Sequence, residues 1–320
     1  MAVRLFCAAS RYVQGPGVIS QIGDVAARYG KSIAVVTDPF VRDRYGARVA
    51  ELIDAAGGEC HIALLQSDVT QRAIDALAES LRPHEPDIVV GLGGGKALDA
   101  AKGVSVALGV PIVTVPTTAS NDSPTSVSYA LYDDEHIMVG VRQLAQNPVA
   151  VLVDSEIVSQ APVPLLLAGI GDAVSKKFEA EACMLGSGST PLNTRPLTTA
   201  GAIADLAYQT LRRDAVAAVA DCKAGRLTTA LENVIEANIL MSGLGYENGG
   251  LSLSHSMTRG LVRLRGTKDA VHGMQIAWAL LVQLIVEGRD AGFIAELLDF
   301  YGRIGLPRRL KDLEIGRAHV

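Results

Sequence analysis

Aromatic side chains make up only 4% of this 320-residue chain, and tryptophan occurs once. Large rings therefore do not fill the interior. With 49% apolar residues, rich in Ala, Gly, Val and Leu, the composition suits helices packed closely on a parallel sheet rather than a disordered or fibrous chain. Cysteine is equally scarce. Cys7, Cys60, Cys183 and Cys222 are scattered, with no CxxC pair, and read as reduced, mostly buried thiols of a cytoplasmic protein. No uninterrupted apolar run reaches the roughly 18 residues that a membrane-spanning helix needs. The opening Met1–Ser10 stretch lacks a charged start and a long apolar stretch, so no signal peptide is expected. The net charge is −5 and no basic run stands out, which argues against a nucleic-acid or anionic-membrane partner. No internal repeat or low-complexity tract interrupts the chain.

At about 150 residues per domain, the length suggests two domains. In the first half, compact apolar runs alternate with helical patterns. The runs are Ser32–Thr37, His61–Leu65, Asp87–Gly91 and Val110–Val115; helical spacing falls at Val41–Ala56, Thr70–Leu81 and Ala97–Leu108. Continuous rather than alternating apolar runs imply strands covered on both faces. This βα rhythm predicts an α/β domain with a parallel, Rossmann-like sheet. After Pro162 and Pro164 only helical patterns remain: Leu165–Met184, Leu197–Ala220, Leu227–Gly243 and Val271–Glu287. The expected organisation is an α/β dinucleotide-binding domain over residues 1–161 and an all-helical metal and substrate domain over 162–313, with the active site in the interdomain cleft. The last residues, 314–320, back-translate to GAG ATC GGA AGA GCA CAC GTC, a common sequencing-adapter string. They are read as foreign, with the natural chain expected to continue past Leu313, and His319 is set aside with them.

Gly91-Leu-Gly-Gly-Gly-Lys96 follows a strand and opens a helix. Glycines there let backbone N–H groups approach a phosphate, and the helix N-terminus favours the anion. The run is neither a Walker A loop nor a strict GxGxxG, because Lys96 stands where the last glycine would be and Ala97 follows it. Asp38 ends the first clear strand of the α/β pattern. A carboxylate there can bind a ribose diol and repel a 2′-phosphate, favouring NAD over NADP; it can equally be a plain helix cap. Pro116-Thr-Thr-Ala-Ser-Asn-Asp-Ser-Pro-Thr-Ser126 gathers hydroxyls and a carboxylate after a buried strand, where open α/β sheets bind ligands.

In the helical half, His255 and His272 lie beside small residues, and Asp172 sits in the apolar run Leu166–Val174. Poor helix formers beside a histidine suggest close approach by another backbone or a ligand. One Asp and two His converging from separate segments would leave a fourth position open, as catalytic zinc requires. Spacing alone fits two satisfied core histidines and a helix-start aspartate at least as well.

Taken together, the ordered motifs resemble the glycerol dehydrogenase branch of the iron-containing alcohol dehydrogenase family, which has the dehydroquinate synthase-like fold. They are Arg11-Tyr-Val-Gln-Gly-Pro-Gly17, Gly93–Lys102, Pro116–Ser126, Gly171-Asp172, Glu247-Asn-Gly-Gly-Leu-Ser-Leu-Ser-His255 and His272-Gly273. The resemblance implies a homo-oligomeric oxidoreductase that transfers hydride from a secondary alcohol or vicinal polyol to NAD. It implies Asp172, His255 and His272 as ligands of zinc (or Fe2+), and Asp122 as the group meeting the substrate hydroxyl. It implies Gly94, Gly95 and Lys96 at the pyrophosphate, with Asp38, Thr117, Ser120, Ser126, Ser128 and Tyr132 as further cofactor contacts.

The sequence also departs from the family's pattern. Thr258 stands where a second histidine is usual, Met274-Gln275 replaces a Glu-Lys pair, and Thr118 replaces a larger apolar residue. These changes are expected to reshape the substrate pocket. Dehydrogenases of 2-hydroxy acids and dehydroquinate-synthase-like lyases share the scaffold; the basic cluster that the lyase's phosphorylated substrate calls for is missing near Asp122 and His255. A non-catalytic dinucleotide-binding remnant is the third reading.

Overall fold

The computed structural model describes residues 3–135, 137–264, 266–267 and 270–313. The suspected adapter segment lies outside the described residues, as do the first two residues of the stretch read for a signal peptide. By their contacts the residues form two units. One is Ala8–Thr118 with Ser123–Val158; the other is the described remainder, including Ala119–Asp122 and the chain from Ser159 onward.

The α/β unit runs β1 (Tyr12–Gly15), α1 (Ile22–Ala26), β2 (Ser32–Thr37), α2 (Pro39–Val41), α3 (Ala47–Ala55), β3 (Glu59–Leu64), α4 (Gln71–Leu81), β4 (Ile88–Gly93), α5 (Gly95–Leu108), β5 (Ile112–Pro116), β6 (Ser128–Tyr132), β7 (Met138–Gln143), β8 (Ala150–Asp154) and α6 (Ser155–Ser159). Six strands form one parallel sheet in the order β1-β8-β5-β4-β2-β3. Every residue of β4, β5 and β8 is buried, as continuous Val/Ile runs covered on both faces must be. Ile33, Val35, Ile88, Val90, Leu92, Val113, Val115 and Leu152 join Ile22, Val49 and Ile53 in one core. The expected Val41–Ala56 helix is a composite, because a π-turn at Arg42–Gly46 separates α2 from α3. Capping sets other boundaries: Thr70 Oγ1 accepts from Ala73 N at 3.0 Å to start α4, and Gly109, left-handed at φ 73°, ends α5. The antiparallel β6–β7 hairpin and strands β1 and β8 go beyond the strands read from the sequence. The Gly15-Pro-Gly17 turn is tied to β8 by Asp154, whose Oδ1 accepts from Gly17 N at 3.2 Å and Oδ2 from Ile19 N at 3.0 Å.

The helical unit contains α7 (Val163–Leu185), α8 (Thr198–Lys223), α9 (Thr229–Glu236), α10 (Ser242–Gly249), α11 (Leu253–Leu261), α12 (His272–Val286) and α13 (Ala291–Ile304). Small residues make it compact: Ala200, Ala204, Ala207, Ala215 and Ala218 are five of the buried residues of α8. The segment expected as one helix over Leu227–Gly243 is capped by Thr228 and interrupted by a π-turn at Ala237–Met241. Helix α11 carries His255, whose segment Gly249–His255 is read from the sequence as helical and broken by small residues, whereas α13 has no counterpart among the helical patterns read from the sequence. Among the described residues, no helix is long and apolar enough to cross a membrane.

Candidate functional site

In the α/β unit, β4 passes directly into α5 through Gly93 and Gly94. Gly93 has φ 148°, and a Cβ there would meet Ala97 Cβ at 2.7 Å and Asp38 Oδ2 at 3.3 Å. Glycine is therefore required for both backbone conformation and space. Gly91 similarly lets β4 approach α5, since a Cβ would lie 2.8 Å from Ala101 Cβ. Asp38 does cap a helix: its Oδ1 accepts from Val41 N at 3.0 Å. Its other oxygen faces the glycine turn, so capping leaves the carboxylate beside the phosphate-type loop. Lys96 pairs with the buried carboxylate of Asp68. Thr117 N donates to Gly93 O at 3.0 Å, joining the polar loop to the turn. Tyr132 lies near Asp99 and Asp68; burial first, then those carboxylates, push its hydroxyl up to about 12.

Two residues of α5 fasten the loop that follows β5. The buried Lys102 ammonium donates to Ser123 O at 2.5 Å and Ser128 O at 2.7 Å. Asp99 accepts from Ser123 Oγ at 2.5 Å and Ala130 N at 3.0 Å. Ser126 and Ser128 are thus held, largely buried, at the mouth of the β6–β7 hairpin.

In the helical unit, three charged residues share a face of α7. Asp172, Lys176 and Glu179, spaced i, i+4 and i+7, stack along one side of a helix, and each side chain is at most 2% exposed. His255 from α11 meets this face. Its Nδ1 lies 2.5 Å from Glu179 Oε2, its backbone N donates to Glu179 Oε1 at 3.0 Å, and its Nε2 lies 3.3 Å from Asp172 Oδ1. His272 opens α12 with its ring 5.5 Å from the His255 ring. Asp122 Oδ2 lies 3.0 Å from Lys176 Nζ, within the same unit.

Glycines allow this convergence. A Cβ on Gly273 would lie 1.8 Å from Ala168 O, and one on Gly171 would lie 2.4 Å from Gly273 O. The start of α12 therefore rests on the α7 backbone, which brings His272 to Asp172. Gly169 does the same for the loop, since its Cβ would lie 1.9 Å from Ala119 O. Asn238, in the π-turn, clamps that contact by donating to Ala119 O at 3.0 Å and Leu166 O at 3.3 Å.

Asp172, His255 and His272 offer one donor atom each, all within 4.8 Å of one another. The 3.3 Å between Asp172 Oδ1 and His255 Nε2 equals the separation of about 3.3 Å between two ligands on one ion with bonds of about 2 Å. A carboxylate on the far ring nitrogen is how metal-ligating histidines are usually oriented. The donor set suits zinc or ferrous iron. Burial opposes each charge, yet the groups offset one another. Lys176 and then His255 hold Asp172 below the usual carboxylate range. Asp122 and Asp172 hold Lys176 above the usual range. Glu179 falls to about 2 beside His255. Crowding by protein atoms, then the neighbouring His255, pushes His272 down to about 4, although the residue is exposed at the start of α12. Burial lowers His255 but Glu179 draws it back up to about 8. The Lys176 ammonium lies 3.2 Å from Nε2, a contact in which Nε2 accepts when the ring carries its single proton on Nδ1.

Comparison with known proteins decides the family. Residues 9–155 match the model described as iron-containing alcohol dehydrogenase. The chain is 37% identical to a glycerol dehydrogenase of Thermotoga maritima over 95% of its own length and 83% of the relative's. It is 35% identical to a glycolaldehyde reductase of Halobacterium salinarum, over 97% and 85%. The chain belongs to the iron-containing alcohol dehydrogenase family. A crystal structure of a probable glycerol dehydrogenase from Sinorhizobium meliloti superposes with a TM-score of 0.92 at 35% identity, covering 97% of this chain and 86% of that one. These matches agree with the glycerol dehydrogenase branch expected from the motifs.

On this family scaffold, Asp38, Gly94, Gly95, Lys96, Thr117, Ser126, Ser128 and Tyr132 lie in the α/β unit, and Ser120, Asp122, Asp172, His255 and His272 in the helical one. The helix-start alternative for Asp172 fails, because it lies mid-way along α7. Sequence reasoning missed Lys176, Glu179 and Asn238. The first two were signalled by charges spaced i, i+4, i+7 in an apolar helix; Asn238 had no comparable signal. The departures from the family pattern have local roles. Thr258 Oγ1 donates to His255 O at 2.7 Å. Gln275 Nε2 donates to Thr267 O at 2.8 Å and Ala270 O at 3.3 Å, bracing the chain just before His272.

Proposed function

We propose that this protein is a metal-dependent, NAD-linked dehydrogenase that oxidises a secondary alcohol or vicinal polyol to the ketone. The observation that carries the reading is the Asp172–His255–His272 cluster, running from buried Asp172 through half-buried His255 to exposed His272, with Glu179 on the far nitrogen of His255, on a chain of the iron-containing alcohol dehydrogenase family. Asp172, His255 and His272 would hold the metal, zinc by preference for such a donor set. When bound, it supplies Lewis-acid polarisation of the alcohol oxygen, while NAD takes up the hydride.

The chain's own residues orient and exclude. Glu179 keeps the His255 proton on Nδ1, aiming Nε2 into the cluster. Asp122, anchored by Lys176 at 3.0 Å, is suited to accept from a substrate hydroxyl next to the reacting carbon, which fixes the reacting geometry. Gly94, Gly95 and the N-terminus of α5 would take the pyrophosphate. Asp38 would take the ribose diol, and Lys96, Thr117, Ser120, Ser126, Ser128 and Tyr132 would complete the cofactor contacts. A reducing, cytoplasmic setting is proposed from the sequence alone, whose four cysteines are scattered with no CxxC pair. A homo-oligomer, expected from the family, is checked by light scattering on a sizing column.

The deciding assay is NADH formation with a panel of polyols and 2-hydroxy acids, with and without chelator. Chelator-sensitive NADH production from a polyol is the expected result. Turnover only with 2-hydroxy acids would move the substrate class. No turnover by the folded, metal-loaded protein would overturn the reading.

A further inference from the structure

The ammonium of Lys176 stands against two of the three side chains that would hold the metal. Its side chain is 1% exposed, and Nζ lies 2.7 Å from Asp172 Oδ1, 3.2 Å from His255 Nε2 and 3.0 Å from Asp122 Oδ2. The Tyr246 ring centroid is 5.6 Å away on another side. A neutral imidazole has one acceptor nitrogen. With its proton on Nδ1, His255 Nε2 can therefore accept a hydrogen bond from Lys176 or bind an ion, but not both at once. Asp172 Oδ1 would likewise be shared by two cations that repel each other across a desolvated space. Asp122 differs: it lies outside the three-donor cluster and gives the ammonium a carboxylate to rest on without using a ligand atom.

We propose that Lys176 is an internal competitor for the metal site: its ammonium and a divalent ion exclude each other at Asp172 Oδ1 and His255 Nε2, and the ion binds only with Lys176 withdrawn onto Asp122. Lys176 thereby neutralises the buried carboxylates in exchange for the ion and sets how tightly the ion is held. Asp122 becomes the residue that decides which of the two occupies the cluster. This inference rests on the three-ligand reading given above, and its test separates the two.

The experiment is a Zn2+ titration of the chelator-stripped full chain against a chromophoric competitor, repeated with Co2+ by visible absorbance. The chains are the unaltered protein, Lys176→Met, and Lys176→Gln, which keeps hydrogen-bonding groups for the carboxylates should Lys176→Met not fold. His255→Ala reports whether the ion sits at the cluster. Removal of the competing cation is expected to tighten Zn2+ binding at least tenfold. Asp122→Asn is expected to weaken binding at least tenfold in the unaltered chain but by less than twofold in the Lys176→Gln background, where no ammonium needs a resting place. His255-dependent binding in the unaltered chain that Lys176→Gln does not tighten would overturn the competition and leave the metal-dependent reading intact. Equal effects of Asp122→Asn in both backgrounds would also overturn it, reducing Asp122 to a nearby charge. Binding by Lys176→Gln but not by the unaltered chain would sustain the competition and remove the metal from the proposed function. No binding by either form would overturn both.

Discussion

The contact between α7 and α12 offers a sharp test of how the site is built, through Gly273→Ala. A Cβ at position 273 would lie 1.8 Å from Ala168 O, 2.5 Å from its carbonyl carbon and 2.9 Å from its Cα. All three are backbone atoms, so no side chain can swing aside. Contacts under 3.0 Å are essentially never shown by real Cβ atoms; the helices must therefore part by at least about 1.2 Å, the difference between 3.0 and 1.8 Å. Overpacking of this kind costs about 1–3 kcal/mol, and a backbone-on-backbone clash belongs at the top of that range. At roughly 2–4 °C per kcal/mol, the melting temperature should fall by about 6 °C or more. His272 adjoins Gly273 and moves with it. A displacement of about 1 Å in a reacting constellation can cost about a hundredfold in rate, so kcat should drop by that order. Thermal melts, Zn2+ titration and NADH production test these expectations together. Gly260→Ala is the control: it lies in α11, and an added Cβ finds nothing within 4 Å, so unchanged or slightly raised stability is expected. A Gly273→Ala protein with unchanged melting temperature and Zn2+ affinity would refute the close approach of α7 and α12 as the device that positions His272.

Glu179→Gln should place an amide donor against Nδ1 of His255 and turn the ring to the Nε2–H tautomer, lowering Zn2+ affinity about 10–100-fold; wild-type affinity by competitive titration would rule out the orienting role. His255→Ala should abolish turnover while leaving NAD binding, followed by nucleotide fluorescence, within about twofold; retained turnover would dismiss the ring as a ligand. Asp38→Asn keeps the cap on Val41 N but loses the charge, so the melting temperature should hold while discrimination against NADP relaxes; an unaltered ratio of kcat/KM for the two nucleotides would count against Asp38 at the ribose. Lys102→Met strips the ammonium from the carbonyls of Ser123 and Ser128 and should destabilise the protein by about 2 kcal/mol or more, with KM for NAD rising before kcat falls; a melt within 2 °C of wild type by the relation above would deny the brace its role.

The parts of the fold most legible in the sequence were those governed by local rules. Ser32–Thr37 and Ile88–Gly93 are unbroken apolar runs because both faces of a parallel strand are covered, and Gly109 and Thr70 mark helix ends through backbone conformation and capping. The β6–β7 hairpin was not legible for the opposite reason. Val139 and Val141 of β7 are exposed and β6 is short, so no buried face imposed a clear period on the residues. β1 and α13 depend on partners remote in sequence: β1 pairs with β8 across more than a hundred residues.

The site divides along the same line. Ligand-type residues such as His255 and His272 announce themselves because few side chains do that chemistry, whereas their supports are ordinary residues whose meaning lies in where the fold puts them. Glu179 is an unremarkable acid until α11 lays Nδ1 of His255 against it. Gly169, Gly171 and Gly273 read as helix breakers until the Ala119 and Ala168 carbonyls and the Gly273 backbone fill the space that Cβ atoms would need. Lys176 is the sharpest case. A lysine four residues after an aspartate reads from sequence as a surface pair of about 0.5 kcal/mol. Buried at 1% exposure between two carboxylates and an imidazole, the same pair becomes a charge whose removal leaves its partners uncompensated, at about 3–5 kcal/mol when nothing replaces it. A divalent ion in the cluster is one thing that could replace it. The stability of Lys176→Gln should therefore depend on Zn2+ far more steeply than that of the unaltered chain, and a thermal melt with and without the ion reads that difference directly. Equal Zn2+-induced shifts in the two proteins would mean that the lysine and the ion do not share their ligands.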